Sequence, residues 1–190
     1  MGEIKKAFLL PHAPILIPEV GKGKEDAVGV TIAAYESIAQ EIALLAPEVI
    51  IIISPHGTAY NDYIHISPGK KLYGNLKDFG APEIQFEFET PEKLTDRIIE
   101  LSQFMGLEAG MMGASDNALD HGTLVPLYYV TKYHKQFSLI RISIAGLPFN
   151  DLYAFGCCIT KAIKEMPFQV VLIASGDLSH KLKEDGPYGY

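Results

Sequence analysis

The stretch "VIIIISPHG", residues 49–57, decides the fold because an unbroken β-branched run ends there on a proline and a histidine. A half-exposed strand alternates apolar and polar residues, whereas a strand covered on both faces is apolar throughout. Residues 49–53 contain no polar side chain. The sequence therefore predicts a central strand of a parallel sheet, with His56 just beyond its carboxyl end.

The segments on either side alternate between strands and helices. Apolar residues at helical spacing predict helices over residues 25–45, 91–105, 122–133 and 150–166. Short apolar runs predict strands over residues 6–10, 63–67, 84–88, 139–144 and 170–174, with a loop rich in glycine and lysine before residue 84. Thr90 is the expected N-cap of the second helix. This order predicts a three-layer α/β fold, with a mainly parallel or mixed central sheet and helices on both faces.

Length and composition indicate one cytoplasmic domain over residues 1–190. The net charge is −7 and the isoelectric point is about 5.3, which argues against a nucleic-acid partner. No apolar stretch approaches the roughly 20 residues that cross a bilayer, so we expect no membrane partner. The N-terminus does not have the pattern of a signal peptide. Cys157 and Cys158 are adjacent in a predicted helix and indicate no disulfide framework.

Four of the six histidines lie where a parallel sheet would bring them to one edge. His12, His56 and His180 follow predicted strands, and His121 directly precedes the helix predicted from residue 122. A single loop histidine is usually solvated or bonded to the backbone, but four at one edge favour a metal site. We expect the nearest ring nitrogens of His12 and His56 to lie within about 4 Å of each other. The other two histidines, His65 and His134, are interpreted as surface or boundary residues.

Four segments carry a family resemblance across residues 11–187: "PHAPILIPEVG", "SPHG", "DHGTLVPLYY" and "SGDLSH". In this order they resemble the class III extradiol ring-cleavage dioxygenases, the family of the protocatechuate 4,5-dioxygenase β-subunit. They are most similar to the dioxygenase-like module of the AmmeMemoRadiSam system, which includes the Memo proteins. The resemblance implies that His12 and His56 bind the metal. It also implies that His121 is the acid/base and that His180 lines the pocket, or binds zinc as in some relatives.

The same resemblance implies a cofactor and a missing ligand. Fe(II) is the expected metal, and Zn or another divalent ion is the alternative. The family's third ligand is a carboxylate placed beyond Tyr190, so we expect a catalytic domain that is truncated at its C-terminus. Glu184 or Asp185 would be the substitute within this sequence.

The implied function is ring cleavage of a small catechol-type aromatic with O₂, in a homo-oligomer or beside a fused or partner domain of the AmmeMemoRadiSam system. The alternative is a Memo-like metal- or ligand-binding module without dioxygenase activity. A serine hydrolase is disfavoured because the sequence has no G-x-S-x-G motif. Ser54, Ser175 and Ser179 are accordingly expected to be turn and cap residues. Asp120 is either part of the site or the cap of the following helix.

Overall fold

The computed structural model describes residues 1–113, 117–177 and 184–185. Within these ranges the strands are β1 (Glu3–Leu10), β2 (Val49–Ser54), β3 (Ile64–His65), β4 (Lys71–Leu76), β5 (Ala81–Glu89), β6 (Ala109–Gly110), β7 (Ser138–Ser143) and β8 (Gln169–Ser175). The helices are α1 (Pro18–Gly21), α2 (Gly29–Leu45), α3 (Glu92–Phe104), α4 (His121–Tyr133) and α5 (Phe149–Glu165). The predicted α/β fold is confirmed.

The central sheet has four parallel strands in the order β1–β8–β2–β7. The isoleucine strand β2 lies between two neighbours, and its residues from Val49 to Ile52 are fully buried. Successive side chains of a strand point to opposite faces. Ile50 and Ile52 therefore pack under α2 and α4, whereas Val49 and Ile51 pack under α3 and α5. The three layers follow directly from this two-sided burial.

The sequence predicts no apolar stretch long enough to cross a bilayer, and helix α2 corrects this. With the 3₁₀ turn before it, the stretch Lys24–Leu45 is the one described helical stretch long and apolar enough to cross a membrane, by length and composition only. In the structure its predicted stripe packs on α4, with Tyr35, Ala39 and Ile42 buried in the core. Glu36 on the same helix forms a 2.8 Å ion pair with a lysine of α4.

The segment expected to be a loop before residue 84 contains strand β4. It pairs with β5 as an antiparallel hairpin, and Leu72, Gly74 and Leu76 point inward while the residues between them are exposed. A glycine at the central inward position hides the alternating pattern in the sequence. The structure needs it there, because a Cβ on Gly74 would lie 2.6 Å from a methyl group of Leu124 in α4.

The two histidines outside the predicted site differ in their burial. His65 is fully buried in β3, which pairs with β6, so its interpretation as a surface or boundary residue was wrong. The partner strand β6 has only two residues, and no pattern in the sequence predicts it. His134 follows α4 and is half-buried. Its Nε2 lies 2.8 Å from the carbonyl oxygen of Pro47, as fits a boundary position.

Helix α3 begins later than expected. Pro91 occupies the N-cap position without a side-chain capping bond. The hydroxyl of Thr90 has no hydrogen-bond partner among the described residues, so its predicted capping role was wrong. The preceding strand β5 extends to Glu89, and this holds Thr90 in the strand-to-helix connection.

Substitution Ile51→Ala should lower the free energy of unfolding by about 2–5 kcal/mol, because it leaves a cavity in a fully buried part of the core. Leu44→Ala is the matched control, since Leu44 is 88% exposed at the end of α2, and it should cost less than about 0.5 kcal/mol. Urea unfolding monitored by circular dichroism measures both. Equal effects of the two substitutions would contradict the central position of β2.

Candidate metal centre

Three imidazole rings meet at the carboxyl edge of the central sheet. His12 and His56 each lie two residues beyond the last residue of their strands, β1 and β2, and His121 is the first residue of α4. Each ring offers one nitrogen, and these three atoms lie within 4.8 Å of one another. The structure therefore brings together three of the four histidines that the sequence singles out. The fourth, His180, lies outside the described residues.

The separation of His12 and His56 fits a shared metal ion. Their Nε2 atoms are 2.9 Å apart, and the two rings are nearly perpendicular, with an interplanar angle of 89°. Two nitrogens bound at right angles to one ion by bonds of about 2.1 Å would lie about 3.0 Å apart. The predicted closeness of the two rings is confirmed, whereas their roles as ligands stay predictions.

A chain of hydrogen bonds sets the tautomer of His12. The hydroxyl of Ser175, at the end of β8, donates its only proton to the carbonyl oxygen of Gly122 at 2.5 Å. The same oxygen lies 3.0 Å from Nδ1 of His12. It must then accept a hydrogen bond from that nitrogen. Nδ1 of His12 therefore carries the ring proton, and Nε2 directs its lone pair toward His56. Such an outer hydrogen bond orients a metal-binding histidine and fixes its tautomer.

A second set of hydrogen bonds joins the His56 loop to α4. Ser54 Oγ donates to Asp120 Oδ1 at 2.5 Å and accepts the backbone N–H of His56 at 3.3 Å. Asp120 also accepts the backbone N–H of Thr123 at 3.1 Å and so caps α4. Of the two roles left open for Asp120, the structure shows the cap. Ser54 is likewise a structural residue, as expected, and it holds the loop in place.

Two glycines allow the backbone around His56 to pack closely. A Cβ on Gly122 would lie 2.5 Å from Ser54 Oγ and 3.2 Å from the ring of His56. A Cβ on Gly57 would lie 1.7 Å from Nη1 of Arg141, a buried side chain of β7. A larger residue at Gly122 would therefore crowd the His56 ring, and one at Gly57 would clash with Arg141 beside it.

The surroundings of His121 keep it neutral. Burial lowers the pKa of His121 below its ordinary value of 6.5, and the nearby rings of His56 and His12 lower it further. Asp120 and Asp177 act in the opposite direction but are weaker. At neutral pH the ring can therefore offer a lone pair, either to a metal ion or to a proton.

Asp177 is a charged residue near this centre that the sequence analysis missed. Its Oδ1 accepts the backbone N–H of His12 at 3.4 Å, and its Oδ2 lies 3.7 Å from His12 Nε2. The available signal was its place in "SGDLSH", two residues beyond the end of β8. Glu184 and Asp185, the substitutes weighed from sequence, are exposed.

Substitution Ser175→Ala should weaken metal affinity about 10- to 100-fold, because Nδ1 of His12 loses the partner that fixes the tautomer. Ser175→Thr keeps the hydroxyl and should retain most of the affinity. The exposed Ser37 on α2 supplies the control Ser37→Ala. Titration of the metal-free protein with Co(II), followed by absorbance, measures all three. Unchanged affinity in Ser175→Ala would contradict the assigned tautomer.

The metal-free protein should lose stability as the pH falls below 6.5, in part through His121. Its pKa is lower in the folded state than the ordinary 6.5, so the unfolded chain binds the proton more readily. The contribution of neutral His121 is thus present above pH 6.5 and is lost as the pH falls through the folded-state pKa. Thermal unfolding at pH 8.0 and 5.5 should show a smaller drop in melting temperature for His121→Gln than for the unsubstituted protein. An equal drop in both would contradict this contribution.

Comparison with known proteins assigns the chain to a family. Residues 6–190 match the family described as "Catalytic LigB subunit of aromatic ring-opening dioxygenase". "Protein CA_C1420" of Clostridium acetobutylicum is 44% identical over 191 residues, which cover 96% of this chain and 41% of that protein. The chain thus spans less than half the length of this relative.

Two further relatives are more distant. The 3,4-dihydroxyphenylacetate 2,3-dioxygenase of Escherichia coli is 24% identical, over 97% of this chain and 69% of that protein. The 2-aminophenol 1,6-dioxygenase beta subunit of a Pseudomonas species is 25% identical, over 94% and 63%. LigB dioxygenases use a metal ion, and the three histidines form a group that could bind one. The chain belongs to the LigB family of aromatic ring-opening dioxygenases.

Proposed function

We propose that the protein is a non-haem Fe(II)-dependent extradiol dioxygenase that acts on a catechol-type aromatic with O₂. The observation that carries the proposal is the 2.9 Å separation of the Nε2 atoms of His12 and His56, with His12 held in the tautomer that binds metals. Membership of the LigB family and the two relatives named as dioxygenases support it. Zn or another divalent ion is the alternative metal.

His12 and His56 would hold the ion, with a carboxylate as the third ligand. Fe(II) in a set of two histidines and one carboxylate keeps open positions and supplies the redox chemistry with O₂. Asp177 would add a negative charge beside His12, since its carboxylate already lies 3.7 Å from Nε2 in the structure.

Proton transfer would fall to His121 and His180. A neutral His121 can accept the proton of a catechol hydroxyl at a ring nitrogen and return it later in the reaction. The ring is half-buried and stands 4.0 Å from the ring of His56, between centroids, so it is close to the expected position of the substrate oxygens. His180 is the second proposed catalytic residue.

A Memo-like module that binds a metal or ligand without dioxygenase activity is the second candidate function. The observation that favours it is the place of His121, whose ring nitrogen lies close enough to join His12 and His56 as a third imidazole ligand. Three histidines around one ion resemble a zinc site with a single open position. We also propose that the chain acts in the AmmeMemoRadiSam system, either as a homo-oligomer or beside a fused or partner domain.

In the full-length protein, His121→Ala should keep bound iron but lower turnover roughly 10²- to 10⁴-fold, as expected for loss of an acid/base. His56→Ala should lose the iron itself. The test is anaerobic loading with Fe(II), measurement of bound iron, and then addition of a catechol and O₂. Formation of a yellow ring-fission product with O₂ uptake supports the dioxygenase.

Two other results would change the assignment. Catechol binding without O₂ uptake would favour the Memo-like module. Loss of iron in His121→Ala as complete as in His56→Ala would show that His121 is a ligand rather than the acid/base.

A further inference from the structure

We propose that the turn between β4 and β5 forms one wall of the substrate site, where Phe79 packs on the aromatic ring of the substrate and Lys22 binds an anionic substituent on that ring. This inference rests on the proposed function. It narrows the substrate to catechols that carry a negatively charged group.

The turn holds Phe79 out of the protein core. Leu76 and Ala81, on either side of the turn Lys77–Gly80, are both fully buried, whereas Phe79 is 36% exposed. The two buried residues anchor the turn, so its phenyl ring is fixed at the surface instead of packing inward. The exposed part of this ring can therefore contact an aromatic ligand.

The ring of Phe79 faces the metal centre. Its centroid lies 5.1 Å from that of His121, at an interplanar angle of 60°. The ring of His121 is in turn 4.0 Å from that of His56, and His56 is 4.7 Å from His12. Phe79 thus ends a row of four aromatic rings that begins at the candidate metal ligands.

The hairpin is bound firmly to the helix that carries His121. The backbone N–H of Leu119, just before α4, donates to the carbonyl oxygen of Tyr73 in β4 at 2.6 Å. Gly74 lets the strand approach Leu124 in the first turns of α4. The distance between Phe79 and His121 is therefore set by the packing of the hairpin on α4, as a specificity wall requires.

The substrate ring would come within reach of this wall. A catechol whose oxygens faced His12 and His56 would direct its ring away from those two side chains. Aromatic rings prefer centroid separations of about 4.5–7 Å in offset or edge-to-face arrangements. The exposed ring of Phe79 offers such a partner on the side of the site where His121 would exchange the proton.

Lys22 places a positive charge against the same turn. A Cβ on Gly80, the residue after Phe79, would lie 3.5 Å from Nζ of Lys22. Lys22 follows α1 with a φ of 51°, a left-handed conformation that is uncommon outside glycine and aspartate-type residues. No ion pair joins its ammonium to any residue in the described part of the chain. In a protein of net charge −7, this local cation would select an anionic group.

Anaerobic calorimetric titration of the Fe(II)-loaded full-length protein tests the wall with three catechols of similar size. They are 3,4-dihydroxyphenylacetate, which is anionic, 4-ethylcatechol, which is neutral, and dopamine, which is cationic. The unsubstituted protein should bind the anion most tightly and the cation least tightly. Phe79→Ala should weaken all three by roughly 3- to 10-fold through loss of an aromatic contact, and Phe79→Tyr should restore them.

Lys22→Gln should weaken only the anion, by roughly 2- to 5-fold, the range of a partly exposed ion pair. Lys24→Gln is the matched control, because Lys24 is an exposed lysine two residues away, and it should leave all three affinities unchanged. Iron content and melting temperature should stay constant across these variants, since neither Phe79 nor Lys22 belongs to the core or the ligand set.

The results separate this inference from the proposed function. If the unsubstituted protein binds none of the catechols, both fail. If it binds and cleaves a catechol but Phe79→Ala binds as well as before, the wall is wrong and the dioxygenase stands. A preference for dopamine would overturn the role of Lys22. It would indicate instead that the carboxylate of Asp78, in the same turn, binds the charged substituent.

Discussion

A strand of four consecutive isoleucines offers no polar side chain to water, so the sheet around it must be covered on both sides. In the structure β2 meets this requirement by lying between β8 and β7 with helices on each face. Parallel neighbours bring all carboxyl ends to one edge. The first polar side chains beyond the buried strands lie at this edge, and they include His12 and His56. The position of the candidate centre is thus a consequence of how the strand is buried.

The buried polar atoms at this edge satisfy one another, and this sets the orientation of the rings. Ser54 and Ser175 end neighbouring strands and are both buried, so each hydroxyl must find partners inside the protein. Each donates to an acceptor at the start of α4, Asp120 or the carbonyl of Gly122, and each accepts from a histidine. The same hydrogen bonds therefore fix the helix, the loops and the tautomer. An unpaired group here would cost about 1–3 kcal/mol.

The sequence predicted the parts of the site that depend on local pattern. His12 and His56 were found because each follows an apolar strand, and His121 because it directly precedes a predicted helix. Asp177 was missed because its closeness to His12 depends on the pairing of β1 with β8, which no local pattern encodes. Phe79 was missed because Gly74 interrupts the alternating pattern from which its hairpin could have been predicted. His65 was misjudged because its full burial arises from tertiary packing, which no local pattern encodes.

The geometry of the three rings is set by contacts that involve no metal ion. His12 is held by Ser175 and by the carboxylate of Asp177, the His56 loop by Ser54, and His121 by its place at the capped end of α4. Binding an ion would then require little ordering of the protein, and the interaction would retain most of its free energy. Burial also favours the neutral form of a histidine, which is the form that binds metals. The low pKa of His121 has the same origin, so the packing that fixes the site also keeps this ring in the protonation state that both candidate functions need.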